Sequence, residues 1–299
     1  MDLDARPIVR WPGGKSEHHT KHGDKLPSAI GATGYREPFF GGGALFFRRY
    51  RAIRPAVLSD VNPHLVALYR TIRDNPGALI KALSMYAYTE DQYYAIRDRF
   101  NDAPCAPIVL RAAWFLYLNK CGANGLCRYN QAGEFNVPFG RTADGEAPLI
   151  CDVDNILATS AALQRTDFRC GDFMVGLEDI REDEVIILDP PYFDVATPVD
   201  TPKVKSFTAY TAQGFSYEDQ VRLADKLVEL DAAGADFALT NADTPEARLL
   251  YARWDIATVQ IQRSVSFMGK VGPGEVREKT REKAAEIIVR NRPSSRLAC

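Results

Sequence analysis

Apolar runs that end abruptly in a polar or glycine position recur near both ends of the chain, and helical periodicity fills the middle. The stretch "YREPFFGGGALFFRRY" sets an apolar run before the glycine triplet Gly41 to Gly43 and an amphipathic segment after it. That order predicts a strand, a tight loop and a helix start. "AVLSDVNPHLVALYRTI" predicts a second strand at Ala56 to Leu58, with Asp60 at its end and a helix beginning near Pro63. Two strand–helix units in succession imply a parallel sheet. From about Pro63 to Pro148 the helical period dominates, with "ALIKALSMYAYTEDQYYAIRDRF" and "PIVLRAAWFLYLN" as its clearest helices. "GANGLCRYNQAGEFNVPFGR" then concentrates Gly, Asn and aromatic residues into a compact loop or hairpin. After Pro148 the alternation resumes, with strands predicted in "DFRCGDF", "DEVIILDPPYF", "ADFALTNAD" and "EIIVRN" and a helix over Tyr217 to Gly234. The pattern describes one α/β domain interrupted by a helical insert.

In open parallel sheets, ligands lie beyond the carboxyl ends of the strands. The glycine loop, Asp60, Asp172, Asp189 and Asn241 are all expected there. Glycines let a ligand approach bare backbone, and an acid closing the next strand can accept both hydroxyls of a ribose. A nucleoside-containing cofactor fits that pair, although a glycine triplet is also a common plain loop, and "FGGGA" is not the phosphate-cradling Walker pattern. "RWPGGKS" adds Trp11, two glycines and Lys15, enough to cover an apolar cofactor and pair with a carboxylate, or to make an ordinary turn.

"VIILDPPYFD" carries the sharpest chemistry. An aspartate held at a strand end can accept a hydrogen bond from an exocyclic amine while a neighbouring proline carbonyl accepts another. Tyr192 can stack on the ring that bears the amine. An amine conjugated with an aromatic base is a poor nucleophile, so two acceptors that draw its nitrogen towards tetrahedral geometry expose a lone pair for attack on a methyl group. Holding the partners in place contributes up to roughly 7–11 kcal/mol in oriented reactions.

Composition narrows the picture further. A chain of 299 residues, 46% hydrophobic, can bury a sizeable core. No apolar run approaches the roughly 20 residues of a membrane span, and "MDLDARPIVRW" lacks the regions of a signal peptide, so a cytoplasmic location is expected. The six cysteines include no Cys-x-x-Cys pair and are expected as free thiols. His18, His19 and His22 lack further ligands at zinc-site spacing, so no metal is expected. The net charge of −2 excludes a globally basic nucleic-acid binder but leaves local patches. Two stretches are locally basic, Arg48 to Arg54 and the glycine-containing Arg263 to Lys283. Either is by default a solvated face.

"RWPGGK", "EPFFGGGALFF", "SDVNPHLVALY", "FLYLNKCGANGLCRYNQAGEFNVPFGR", "DPPYF", "KSFTAYTAQGF", "LTNADT" and "RSVS" together resemble the successive motifs of the Dam-type DNA adenine-N6 methyltransferases, in that family's order. The likeness spans nearly the whole chain. It implies a Rossmann-like domain, residues 1–62 and 149–299, binding S-adenosylmethionine, and an inserted helical target-recognition domain, residues 63–148. It implies further that Trp11, Lys15, Pro38, Phe39, Gly41, Asp60, Asp172 and Asp189 serve the cofactor, with Asp60 on the ribose and Asp172 on the adenine ring. Asp189, Pro190, Pro191 and Tyr192 would form the catalytic pocket for the target amine. DNA contacts are implied for Arg10, Asn124, Leu126, Arg128, Asn136, Pro138 and Tyr210, the last within a segment, Ser206 to Tyr210, that closes over the extruded base. The implied substrate is double-stranded DNA at GATC or a related short site, with the target base flipped out. A monomer in solution is expected, with oligomers able to form on DNA.

The chain departs from that family at three reading positions. Arg10 stands where lysine is common, Ala123 replaces an aromatic that wedges into the duplex, and Thr142 replaces a tyrosine. "DVATPVDTPKVK" also makes a longer insert after the catalytic tyrosine than is usual. Three other readings compete: a cytosine-N4 methyltransferase using the same Asp-Pro-Pro-Tyr chemistry, a catalytically silent DNA-binding relative, and a nicotinamide-dependent oxidoreductase. The last lacks the Gly-x-Gly-x-x-Gly spacing it would need.

Overall fold

The computed structural model describes residues 4–11, 22–53, 55–142, 146–192, 215–265 and 280–292. Among these, seven strands form one sheet: β1 (Gly34–Glu37), β2 (Ala56–Asp60), β3 (Thr166–Cys170), β4 (Glu184–Leu188), β5 (Asp236–Ala242), β6 (Asp255–Val265) and β7 (Thr280–Arg290). Their spatial order is β3-β2-β1-β4-β5-β7-β6. The first five run parallel, and β7 is antiparallel to both its neighbours. The helices are α1 (Phe46–Arg49), α2 (Pro63–Asp74), α3 (Pro76–Leu83), α4 (Glu90–Asp102), α5 (Ile108–Cys121), α6 (Val153–Ala162), α7 (Tyr217–Ala232) and α8 (Pro245–Leu250).

β4 reads Glu-Val-Ile-Ile-Leu and is buried along its whole length, as a central parallel strand covered on both faces must be. Alternation sends Val185 and Ile187 to one core and Ile186 and Leu188 to the other. The first core continues without a break into α2, α4 and α5 through Leu65, Leu68, Tyr93, Ile96 and Phe115. The second is closed by Leu223, Leu227 and Leu230 of α7. α5 is apolar almost all round and accordingly buried from Ala112 to Asn119. α2, expected within the insert, packs on β2 and β3 as well as on α5 and α6.

Helix starts follow the local chemistry. Asn62 caps α2, its Oδ1 accepting from the amides of His64 and Leu65, with Pro63 at the first helical position. Ser216 and Asp219 form a reciprocal capping box at α7. Because the chain runs from β1 to β2 and β3 on one side and then returns to β4 on the other, the winding reverses between β1 and β4. In sheets of this kind a ligand crevice opens at that reversal.

One strand is additional to the sequence reading. β6 pairs with β7 in register from Asp255↔Arg290 to Val265↔Thr280. The ends of the stretch taken as a solvated basic face, residues 263–265 and 280–283, are therefore sheet. β6 escaped notice because Thr and Gln dilute its alternation, leaving Val259 and Ile261 as its buried large residues. The other basic run is also partly structural, since Arg49 donates to the Pro27 carbonyl at 2.9 Å and Arg51 pairs with Asp4 at 2.7 Å.

Candidate active site at the reversal of the sheet

β1 ends in Glu37, and the chain continues through Pro38, Phe39 and Phe40 to the glycine triplet. Pro38 is buried against Gly176. Phe39 is half-buried, stacked on Phe173 at 5.5 Å between ring centroids and edge-on to Phe215 at 5.6 Å. Gly41 has φ +50°, and a Cβ there would sit 2.8 Å from Cδ1 of Trp11. The bare backbone that sequence assigns to a ligand is thus approached by the Trp11 indole, which covers Gly41 and Gly42.

Asp60, at the end of β2, faces the same loop. Its Oδ2 accepts from the Gly41 amide at 2.9 Å and its Oδ1 from the Asn62 amide at 2.8 Å. Burial pushes its carboxyl up, and the amides of Asn62, Gly41 and Val61 pull it back. A carboxylate offers about four acceptor positions, so these amides leave it able to accept from a ribose hydroxyl. Asp172 follows β3 and caps the short turn Phe173–Leu177 through the Met174 amide. Its two oxygens also meet Arg222, at 3.0 and 3.3 Å. Both side chains of that pair are about half exposed, and such pairs contribute only about 0–1 kcal/mol, so a ligand can exchange with the guanidinium.

Asp189 closes β4. Its Oδ1 accepts from the Thr240 hydroxyl at 2.5 Å. The Tyr192 hydroxyl donates to Oε2 of Glu286, a buried acid on β7, at 2.8 Å. Burial, with the carboxylates of Asp189 and Glu286 nearby, raises the Tyr192 pKa and keeps that hydroxyl a donor. Gln220, on the first turn of α7, donates to the Pro191 carbonyl at 2.9 Å. Asn241 reaches the strand end as expected, but on the opposite face of β5 from Thr240, bonded to Gln220. Sequence reasoning missed Glu37, Gln220, Thr240 and Glu286. For Thr240 and Glu286 the available signal is a polar residue inside an otherwise apolar run, as in "FALTNA" and "AAEIIV", while Glu37 and Gln220 sit among other polar residues that give no such signal.

Glu37 is nearly inaccessible at 2% exposure and accepts from the Tyr35 hydroxyl at 2.7 Å. Burial pushes its carboxyl up to about 8; the Tyr35 bond lowers it, Asp189 raises it and Arg49 lowers it.

Among the described residues, the DNA-contact candidates Arg10, Asn124, Leu126, Arg128, Asn136 and Pro138 lie in or against one turn and hairpin. Residues 126–139 fold back on themselves, with Tyr129 opposite Phe135 and the Asn136 amide donating to the Arg128 carbonyl at 3.1 Å. Alternation buries Cys127, Phe135 and Val137 and leaves Leu126, Arg128, Asn136 and Pro138 at least partly exposed. The Arg128 guanidinium donates to Oδ1 of Asn136 at 2.8 Å and to its carbonyl at 3.2 Å. Asn124 is exposed with φ +56°, a conformation asparagine tolerates. Gly125 has φ +65°, and a side chain there would collide with Arg10. Arg10 is held against this turn by Asn119, which accepts from its amide and donates to its carbonyl, each at 2.8 Å, and also donates to the Gly125 carbonyl. Lys15, Tyr210, the Ser206 to Tyr210 segment and the long insert after the catalytic tyrosine lie outside the described residues.

A doubly wound sheet with acids and aromatics gathered at its reversal is a Rossmann-like arrangement suited to a nucleoside-bearing ligand. The family described as D12 class N6 adenine-specific DNA methyltransferase matches residues 11–265. The type II methyltransferase M1.LlaDCHI of Lactococcus lactis subsp. cremoris is 32% identical over 295 residues, covering 97% of this chain and 96% of that protein. The type II methyltransferase M.MjaIII of Methanocaldococcus jannaschii is 31% identical over 306 residues, covering 97% and 100%. The DNA adenine methylase of Vibrio cholerae is 32% identical over 274 residues, covering 88% and 91%. The chain belongs to the D12 class of N6 adenine-specific DNA methyltransferases.

Proposed function

We propose that the protein transfers a methyl group from S-adenosylmethionine to N6 of an adenine flipped out of duplex DNA, within GATC or a closely related site. The observation that carries this reading is the Asp189-Pro190-Pro191-Tyr192 loop, which follows β4 at the reversal of the sheet, one strand over from β1, whose glycine loop meets Asp60. The division into a catalytic domain, residues 1–62 and 149–299, and a recognition domain, residues 63–148, belongs to the same proposal.

The residues fit the cofactor. Asp60 retains acceptor capacity for a ribose hydroxyl, Phe39 and Trp11 offer aromatic surface, and Asp172 can exchange Arg222 for an exocyclic amine. Lys15 is proposed to pair with the cofactor's carboxylate. When bound, S-adenosylmethionine supplies an electrophilic methyl group on a sulfonium. Asp189 would accept from the target amine with the Pro190 carbonyl as the second acceptor, while the Pro191 carbonyl takes a donor from Gln220. Tyr192 stacks on the extruded base. Extrusion costs a few kcal/mol, which contacts from the recognition surface offset.

Removing the Asp60 carboxylate tests the cofactor assignment. Asp60→Ala is expected to weaken S-adenosylmethionine binding by about 1–3 kcal/mol, the scale of hydrogen bonds to a charged group. Calorimetric titration checks it, and unchanged affinity removes Asp60 from the pocket.

Arg128 tests the recognition surface. A guanidinium fork matches the two major-groove acceptors of guanine, so Arg128→Ala is expected to cost roughly 1–3 kcal/mol of discrimination at one base pair. Methylation rates across a library of single-base variants of GATC read this directly. A drop shared equally by all sequences would identify a phosphate contact and contradict the assignment. Arg10, Ala123 and Thr142 lead the same library to show a first position enforced less strictly than the inner adenine and thymine.

A further inference from the structure

Pro190 and Pro191 leave the loop after β4 without backbone donors at two consecutive positions. Such a loop can be anchored by its carbonyls and by the side chains flanking it, and among the described residues three neighbours do this. Thr240 of β5 reaches Asp189, Glu286 of β7 takes the Tyr192 hydroxyl, and Gln220 of α7 takes the Pro191 carbonyl. Of these three, Gln220 is the one that bonds to the backbone between the two functional side chains.

Its amide is locked. Oε1 accepts from the Tyr251 hydroxyl at 2.9 Å and from Nδ2 of Asn241 at 3.2 Å. Asn241 is itself oriented, because its Oδ1 accepts from the Ala242 amide at 2.8 Å. With both lone pairs of Oε1 engaged, a flip of the amide would set its NH2 group against the fixed NH2 of Asn241. Nε2 is therefore committed to the Pro191 carbonyl. Burial raises the Tyr251 pKa, so its hydroxyl remains a donor through the neutral range. Gln220, Asn241 and Tyr251 are all at most 2% exposed, which leaves water little access to substitute for any of these bonds.

We propose that Gln220 is a positioning residue for methyl transfer: its donation to the Pro191 carbonyl sets the turn that aims the Pro190 carbonyl and the Tyr192 ring at the target amine. This rests on the reading that the loop receives the base. Gln220 acts through the loop and touches neither substrate nor cofactor. Its loss should therefore appear in turnover, with binding retained.

Two variants separate positioning from packing. Gln220→Met keeps length and bulk but neither donates nor accepts in the same way. It is expected to lower kcat by about 10- to 100-fold, as misplacements of about 1 Å do, with the DNA KM and cofactor affinity close to those of the parent. Gln220→Glu keeps the acceptor for Tyr251 and Asn241, and when ionised it lacks the donor. Its carboxyl regains a donor on protonation, so its kcat relative to the parent should recover as pH falls from 9 to 6. A folded Gln220→Met at parent turnover overturns the proposal. So does a Gln220→Glu variant that follows the parent's pH profile, or a loss in either variant confined to cofactor or DNA affinity. If Gln220→Met does not fold, the pH profile of Gln220→Glu decides. A parent protein that transfers no methyl group overturns the underlying reading, whereas an active parent with unchanged variants overturns this proposal alone.

Discussion

Replacing Asp189 by alanine is expected to lower methyl transfer by about 100- to 1000-fold, the usual consequence of removing one preorganised group aimed at developing charge. In the proposed reaction the attacking N6 nitrogen becomes positive, and Asp189, the acid at the end of the central strand, is the carboxylate proposed to face it. Thr240 fixes the orientation of that carboxylate at 2.5 Å, and the buried run of β4 fixes its backbone. The residues proposed to face the duplex belong to the turn and hairpin of residues 122–139 and to Arg10, which packs against that turn. Asp189→Ala should therefore bind duplex DNA with near-parent affinity while turnover collapses. Asp189→Asn should be similarly impaired, because an amide keeps the shape and loses the charge. Single-turnover rates with saturating cofactor, measured beside DNA binding, check this. Near-parent rates in either variant would remove Asp189 from the chemistry.

The second large effect concerns stability and pH. Glu37 has its carboxyl raised to about 8, chiefly by burial, against an ordinary value of 4.5. Between those values the folded protein holds a proton that the unfolded chain releases. Its contribution is therefore fully present below about pH 4.5 and is lost as pH rises through about 8. Glu37→Gln carries no such proton. Relative to the parent, it should gain stability on the order of a few kcal/mol between pH 5 and pH 9. Urea unfolding of both proteins at several pH values checks this, and parallel stability curves would contradict it. A neutral Glu37 at working pH also spares the site a second negative charge next to Asp189.

Asp189 and Glu37 differ in how visible they are in the sequence. Asp189 announces itself, because four apolar residues running into Asp-Pro-Pro-Tyr make a buried strand that cannot continue. The strands at Ala56 and Val185 are legible for the same reason, since burial imposes apolar runs, whereas β1 carries the buried Arg36 and Glu37 and shows itself only through the apolar residues and glycines that follow it. β6 lies at the edge of the sheet, where half its positions tolerate Thr and Gln, so its pattern fades. Glu37, Gln220, Thr240 and Glu286 were hidden for another reason. Gln220, Thr240 and Glu286 are single polar residues whose partners lie far away in sequence, 94 positions for Tyr192 and Glu286, and only the assembled sheet with its packed helix brings such partners together. Glu37 bonds Tyr35 two positions away, but its place near Asp189 follows only from the pairing of β1 with β4. The place of Trp11 over the glycines was likewise invisible, since the same glycines serve equally well for a ligand or for an indole.

The most direct test of the account is to incubate the purified protein with S-adenosylmethionine and unmethylated plasmid DNA and to map modified bases at single-nucleotide resolution. The account predicts N6-methyladenine at the adenine of GATC and at near-cognate sites that differ in the first base. Methyl groups found on cytosine N4, or no modified base in the presence of active cofactor, would contradict it.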